Sequence, residues 1–153
     1  MNNSNQIRRV SCRGLIIDQG QLLVVKLKST DDFYCLPWGK LEYMETIENC
    51  IVREINEELN IMPEVGPMLF INQWLLAQYQ VHLIEFFYLI MNWSDFRHID
   101  LTSSSHGFEI AELKWIDLDD KDTNVLPSFV LQQLEGTSMD QIMMMWTQSV
   151  VSH

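Results

Sequence analysis

Apolar residues along this chain recur in two rhythms, and the change between them divides it into elements. Val10 to Asp18 and Leu22 to Lys28 are dense in strand formers on either side of Asp18-Gln19-Gly20, which predicts two strands joined by a hairpin turn. Thr30 to Phe33 is a polar connection, Tyr34 to Leu36 a short extended piece, and Pro37-Trp38-Gly39 a bend. The rhythm then becomes helical: Ile47, Ile51, Ile55 and Leu59 recur every fourth residue, an apolar stripe on a helix that begins near Thr46. Asn60 suits the left-handed stop of such a helix, and Pro63 forbids its continuation.

Beyond the helix, Phe70 to Ala77 and Val81 to Met91 read as long strands. The second is apolar on both faces apart from His82 and Glu85, the pattern of a strand covered on both sides and central to its sheet. Ser94 to Gly107 is a polar loop, Glu109 to Ile116 a further strand, and Ser128 to Leu134 a helix after Pro127. Met139 to Val151, Met-rich around Trp146, reads equally as a third helix or as an interaction surface through which a homodimer could form. Strands interspersed with helices predict an α/β fold, a mixed sheet with helices on both faces.

Length adds that residues 1–153 fit one domain with a real core. The apolar share of 47% and charged share of 20% are those of a folded chain rather than a disordered tail. A formal net charge of −11 repels polyanions, which argues against a nucleic-acid polymer or an anionic membrane as partner and requires a cation wherever a phosphate is bound. Cys12, Cys35 and Cys50 are odd in number and widely spaced, which predicts three buried, reduced thiols. MNNSNQIRRV lacks the apolar stretch of a signal peptide, and no later run has the length of a membrane span, so a cytoplasmic location is expected.

The candidate chemistry lies in Gly39-Lys40-Leu41-Glu42-Tyr43-Met44-Glu45 and, seven residues on, Arg53-Glu54-Ile55-Asn56-Glu57-Glu58-Leu59-Asn60-Ile61. On a helix, Glu54, Glu57 and Glu58 fall within an arc of about 100°, opposite most of the apolar stripe. Like charges so crowded repel, so something positive belongs among them. Hard oxygen ligands with room for substrate phosphates suit Mg²⁺ or Mn²⁺. The cation would let an acidic protein hold an anionic diphosphate and would activate a water at neutral pH. The bland alternative is a solvated acidic helix face, as most surface Glu and Arg are.

The segment resembles the Nudix box: Gly, five free positions, Glu, seven free positions, then Arg-Glu-apolar-x-Glu-Glu-x-Gly-apolar. Six strict identities would meet by chance on the order of once in 10⁵ sequences of this length. Two departures stand out. Asn60 replaces Gly but tolerates the same left-handed backbone, and Trp38 replaces the first Gly of the usual Pro-Gly-Gly, which bears on loop shape and the substrate pocket.

The resemblance implies an α/β/α sandwich and a pyrophosphohydrolase. Glu54, Glu57 and Glu58 would hold divalent metals with the carbonyl of Gly39, Arg53 would orient the carboxylates, and Glu45 would support the network from the loop. Members often recruit one more acid from a later strand: here Glu109 or Glu112, whose spacing of three puts them on opposite faces of a strand, with Glu109 taken as the ligand. The general base differs among members and stays unassigned.

Other residues carry two readings each. Glu85 among apolar neighbours needs a partner, best a salt bridge or hydrogen bond, otherwise a substrate or metal contact. His82 reads as a satisfied strand residue rather than a base. Lys26 and Lys28 could meet phosphate or simply solvate a sheet edge. Trp38, Tyr34 and Trp74 could stack a base, although core packing is the commoner use of such rings.

The implied substrate is a small nucleoside-diphosphate-like molecule: a nucleoside triphosphate, a nucleotide sugar or a dinucleoside polyphosphate. Leu76 and Ala77, where ADP-ribose enzymes of the family carry Pro, argue against ADP-ribose; Tyr79, eighteen residues after Ile61, leans toward dinucleotides. A Nudix-fold module that senses a nucleotide without cutting it is the alternative, supported by Trp38.

Overall fold

The computed structural model describes residues 7–30 and 32–150, with side chains to residue 144. In chain order the strands are β1 (Ile7–Leu15), β2 (Ile17–Asp18), β3 (Gln21–Leu27), β4 (Tyr34–Cys35), β5 (Trp38–Lys40), β6 (Val65–Leu76), β7 (Val81–Ile90), β8 (Ile110–Asp117) and β9 (Val125–Leu126). The helices are α1 (Ile47–Leu59), between β5 and β6, then α2 (Phe129–Leu134) and α3 (Met139–Val150). Met139 onward is therefore helical. Val151, and the side chains of Met145 and Trp146 on which an interaction surface would rest, lie outside the described residues.

The strands form two sheets in the middle layer. One runs β5-β1-β7-β6 and is mixed, with β1 and β7 parallel and the other pairs antiparallel. The other runs β2-β3-β4-β9, with β8 also paired to β3. The run Val10 to Asp18, read as one strand, is divided at Ile16. Its first part belongs to one sheet and its last two residues hydrogen-bond to β3 in the other. Leu15, Ile16 and Ile17 are fully buried, so the chain crosses from sheet to sheet inside the core. β7 lies between β1 and β6, the central position its two-faced apolar pattern predicts.

Helices cover both sides of this layer. Cys50, Ile51, Ile55 and Leu59 of α1 pack with Cys12, Leu23, Val25, Tyr88 and Ile90. Val130 and Leu134 of α2 and Ile142 of α3 pack on the opposite side with Leu15, Val24, Phe87 and Leu89. Phe129 meets Phe87 and Phe70 edge-on, with ring centroids 5.3 and 6.0 Å apart, which ties α2 to the sheet. The result is the α/β/α sandwich. Cys12, Cys35 and Cys50 are buried and free. No helix among the described residues is long and apolar enough to cross a membrane.

Both ends of α1 are fixed by their residue types. Thr46 caps it by accepting a hydrogen bond from the Asn49 amide at 3.2 Å. At the other end Asn60 adopts φ 54°, ψ 34°, and its amide donates to the Asn56 carbonyl. The loop after β7 completes that end: Ser104 Oγ donates to the carbonyls of Glu57 and Glu58, and the His106 amide donates to Glu57 at 2.9 Å. These carbonyls have no partner within the helix, so the loop is anchored by what the helix lacks. Arg97 pins the same loop, bonded to the Asp18 carboxylate at 2.7 Å and stacked 3.9 Å over the Trp115 ring.

Asn60 gives a direct test. Asn60→Ala places a Cβ-bearing residue without a helpful polar group in the left-handed region and should unfold about 1 kcal/mol more easily than Asn60→Gly in urea titration, both variants losing the same contact to Ser103.

Candidate functional site

A cleft of about 570 Å³ lies along α1, lined by Gly39, Arg53, Glu54, Glu57, Glu58 and Glu109 together with Leu27, Trp38, Lys40, Glu42 and His106. The helix supplies three of its carboxylates because residues three and four apart share a face. β5 supplies Gly39, paired with Cys12 of β1. A Cβ on residue 39 would overlap the Glu54 carboxylate, so the absence of a side chain there is what lets the strand lie against the acidic face.

Arg53 holds this face together. Its Nε and Nη2 donate to the two oxygens of Glu45 at 2.8 and 2.9 Å, a two-pronged pairing. Nη1 reaches Glu54 at 2.8 Å and Glu57 at 3.3 Å, and Nη2 also donates to the Lys40 carbonyl at 3.0 Å. One guanidinium therefore joins the loop, the strand and the helix. Glu45 also accepts from the Glu42 amide at 3.0 Å. The Arg53 bond, above all, holds its carboxyl below the ordinary value.

Glu58 differs from its neighbours. It is buried, and its oxygen accepts from the Trp38 amide at 3.3 Å. Burial pushes its carboxyl up to about 8, with Glu54 and Glu109 adding repulsion. Burial also raises Glu54, opposed by its bond to Arg53. The thiol of Cys50, buried on α1 and 4.0 Å from the Gly39 carbonyl to which it donates, is raised by its neighbour Cys12 and by burial.

Glu109 is not on a strand. It closes a short 3₁₀ turn, Gly107–Glu109, ahead of β8, so strand alternation does not decide where it points. The turn delivers it to the cleft, whereas Glu112 sits on β8 and accepts from the Tyr34 hydroxyl at 2.7 Å. His106, which sequence reasoning passed over, stands with Nδ1 3.5 Å from Glu57. Its place three residues before Glu109 was the available signal, but only the loop's anchoring to the end of α1 brings it there.

Glu85 is fully buried and paired with Arg13 at 2.6 Å. It also accepts from Trp74 Nε1 at 2.7 Å and Asn72 at 3.4 Å. The salt-bridge reading of Glu85 therefore holds. His82, read as satisfied, has a buried Nε2 without a partner among the described residues. Lys26 lies over the Tyr34 ring at 5.8 Å, and Lys28 is exposed; neither lines the cleft.

The donor chemistry fits a hard divalent cation: five carboxylates, Glu42, Glu54, Glu57, Glu58 and Glu109, and the Gly39 strand line one cleft. Among the described residues no three acidic, His or Cys side chains already converge on one point, because Arg53 engages Glu54 and Glu57.

A sandwich fold that presents a row of glutamates from one helix against a glycine strand defines a class of protein built to gather charge in a cleft. The model of the Nudix domain matches residues 6–131, and the chain belongs to the Nudix hydrolase family, whose hydrolases use divalent metals. The MutT Nudix hydrolase of Burkholderia pseudomallei superposes with a TM-score of 0.69 at 25% identity, over 84% of this chain and 99% of that one. The ORF135 protein of E. coli shares the fold, with a TM-score of 0.64 at 17% identity over 86% and 93% of the two chains. The ADP-ribose pyrophosphatase of Methanocaldococcus jannaschii is 37% identical over 62 residues, a match covering 39% of this chain and 37% of that protein.

Two outcomes test the site. Gly39→Ala should displace the Glu54 carboxylate and weaken Mn²⁺ binding at least tenfold, read by calorimetry, with far-UV circular dichroism unchanged. Glu58 sets a pH dependence: its folded value of about 8 stands above the ordinary 4.5, so its contribution to stability is full below about 4.5 and is lost as pH rises through about 8. Glu58→Gln should accordingly lose less melting temperature than wild type between pH 5 and 9 in metal-free buffer. Parallel profiles would refute the assignment.

Proposed function

We propose that the protein hydrolyses a phosphoanhydride bond in a nucleoside diphosphate linked to another moiety, with Mg²⁺ or Mn²⁺ held by Glu54, Glu57, Glu58, Glu109 and the Gly39 carbonyl. The observation that carries this reading is the convergence of those groups on one cleft around Arg53. A divalent cation bound there would neutralise the diphosphate and polarise its phosphorus, which a chain of net charge −11 needs if it is to hold an anion. Arg53 is spent on Glu45, Glu54 and Glu57, so it orients carboxylates rather than grips phosphate. Glu45 supports that network from the loop.

Burial raises the Glu58 carboxyl to about 8, and its ionised form is favoured beside a cation, so it suits proton transfer from the attacking water. The position of Glu57, partly open to the cleft and within reach of His106, suits a ligand that meets solvent and substrate together.

The substrate is a small nucleotide: a nucleoside triphosphate, a nucleotide sugar or a dinucleoside polyphosphate. The partial match to an ADP-ribose pyrophosphatase adds ADP-ribose to the set worth assaying. A cytoplasmic location suits such a substrate. A second reading, a nucleotide-sensing module of the same fold, draws on Trp38, which lines the cleft at the position just before the box where the family usually has glycine.

A panel of these four classes, assayed with Mg²⁺ and with excess chelator, separates the readings. Chelator-sensitive cleavage of one class is the expected result, and Glu57→Gln should reduce it by two orders of magnitude or more without unfolding. Tight nucleotide binding without cleavage across the panel would replace the hydrolase by the sensing module.

A further inference from the structure

Beside the acid cleft lies a second cavity of about 390 Å³ with a largely apolar lining. Phe33, Trp38, Trp74 and Leu83 wall it, and Arg13 and Glu85 stand in it together. Leu27 and Trp38 line both spaces, so a molecule with one charged and one flat apolar end could occupy the two at once. Apart from one nitrogen of Arg13, the polar side chains of this second cavity are already engaged. Glu85 takes Arg13, Trp74 Nε1 and Asn72, and the Thr30 hydroxyl is engaged with the carbonyls of Leu27 and Phe33.

Arg13 is the hub. Its register partner across the β1–β5 pair is Trp38, and its guanidinium lies 5.1 Å from the centre of that indole. Its other contact, Glu85, holds the indole nitrogen of Trp74 on β6. Two aromatic walls from different strands are thus tied through one ion pair, whose side chains are 12% and 1% exposed. Arg13 Nη1 is buried with no partner among the described residues, a donor that an acceptor on an incoming ring could satisfy after a small shift.

We propose that the buried Arg13–Glu85 pair is the specificity device of this site: it sets Trp38 and Trp74 as the aromatic walls of the second cavity and so selects substrates bearing a planar base over base-less diphosphates. The proposal rests on the reading that the acid cleft takes the diphosphate. Since the lining offers stacking surface and one spare donor, selection is for a base as a class. Arg13 and Glu85 are positioning residues, acting through the two indoles.

The test compares binding of a nucleoside diphosphate and of inorganic pyrophosphate, each with Mg²⁺, by calorimetry. Arg13→Met strands a buried carboxylate, so the neutral double variant R13M/E85Q is measured beside it. In both, the ratio of nucleotide to pyrophosphate affinity should fall at least tenfold, with R13K, which keeps the charge but not the planar fork, intermediate. If the variants turn over, the loss should fall on KM more than on kcat. Equal losses for both ligands, or a wild-type protein that binds the two alike, would overturn the proposal. Wild-type protein that prefers the nucleotide yet cleaves no anhydride would remove the hydrolase reading and leave this one standing.

Discussion

The acidic face of α1 is held together by Arg53, which stands among its carboxylates. Glu54, Glu57 and Glu58 within one turn, with Glu45 folded over them, would repel one another in a partly covered cleft. A single guanidinium spreads its donors over Glu45, Glu54, Glu57 and the Lys40 carbonyl, turning that repulsion into a set of charge-assisted hydrogen bonds. The loop before the helix, the strand carrying Gly39 and the helix itself are registered by this one side chain. A lysine could supply the charge but not the fork.

Around that centre the fold supplies two supports of different kinds. The first is steric: the missing Cβ of Gly39 lets β5 lie against Glu54, and the buried stripe of Ile51, Ile55 and Leu59 fixes the helix's rotation so that the glutamates line the cleft. The second is the hydrogen-bonding deficit at the end of α1. Its orphan carbonyls recruit Ser104 and the His106 amide, and this holds the loop that carries His106 and Glu109 to the cleft.

The environments of the carboxylates are graded as a consequence. Glu45 is held ionised by Arg53, Glu54 is pulled both ways, and Glu58, beneath the Trp38 amide, retains its proton far more tightly. Similar side chains are thereby given different chemical work by burial and hydrogen bonding alone. Trp38 stands at the junction: its amide meets Glu58, its ring meets Arg13, and it lines both cavities.

By itself the sequence determined α1, its caps, its apolar stripe and the acidic row, because helical periodicity and end chemistry are local and act within a few residues. It also determined the central place of β7, whose two-faced apolar run has no other home. The division of the Val10–Asp18 run between two sheets was not legible, since both its halves are equally apolar and only their partners differ. The positions of Glu109 and Glu112 were not legible either: alternation requires a strand, and the 3₁₀ turn that carries Glu109 is imposed by a loop tied to a distant helix end. Tertiary structure alone brought together Arg13, Trp38, Trp74 and Glu85, from four strands with up to 72 residues between Arg13 and Glu85, because contacts of that range depend on sheet register, which no local pattern encodes.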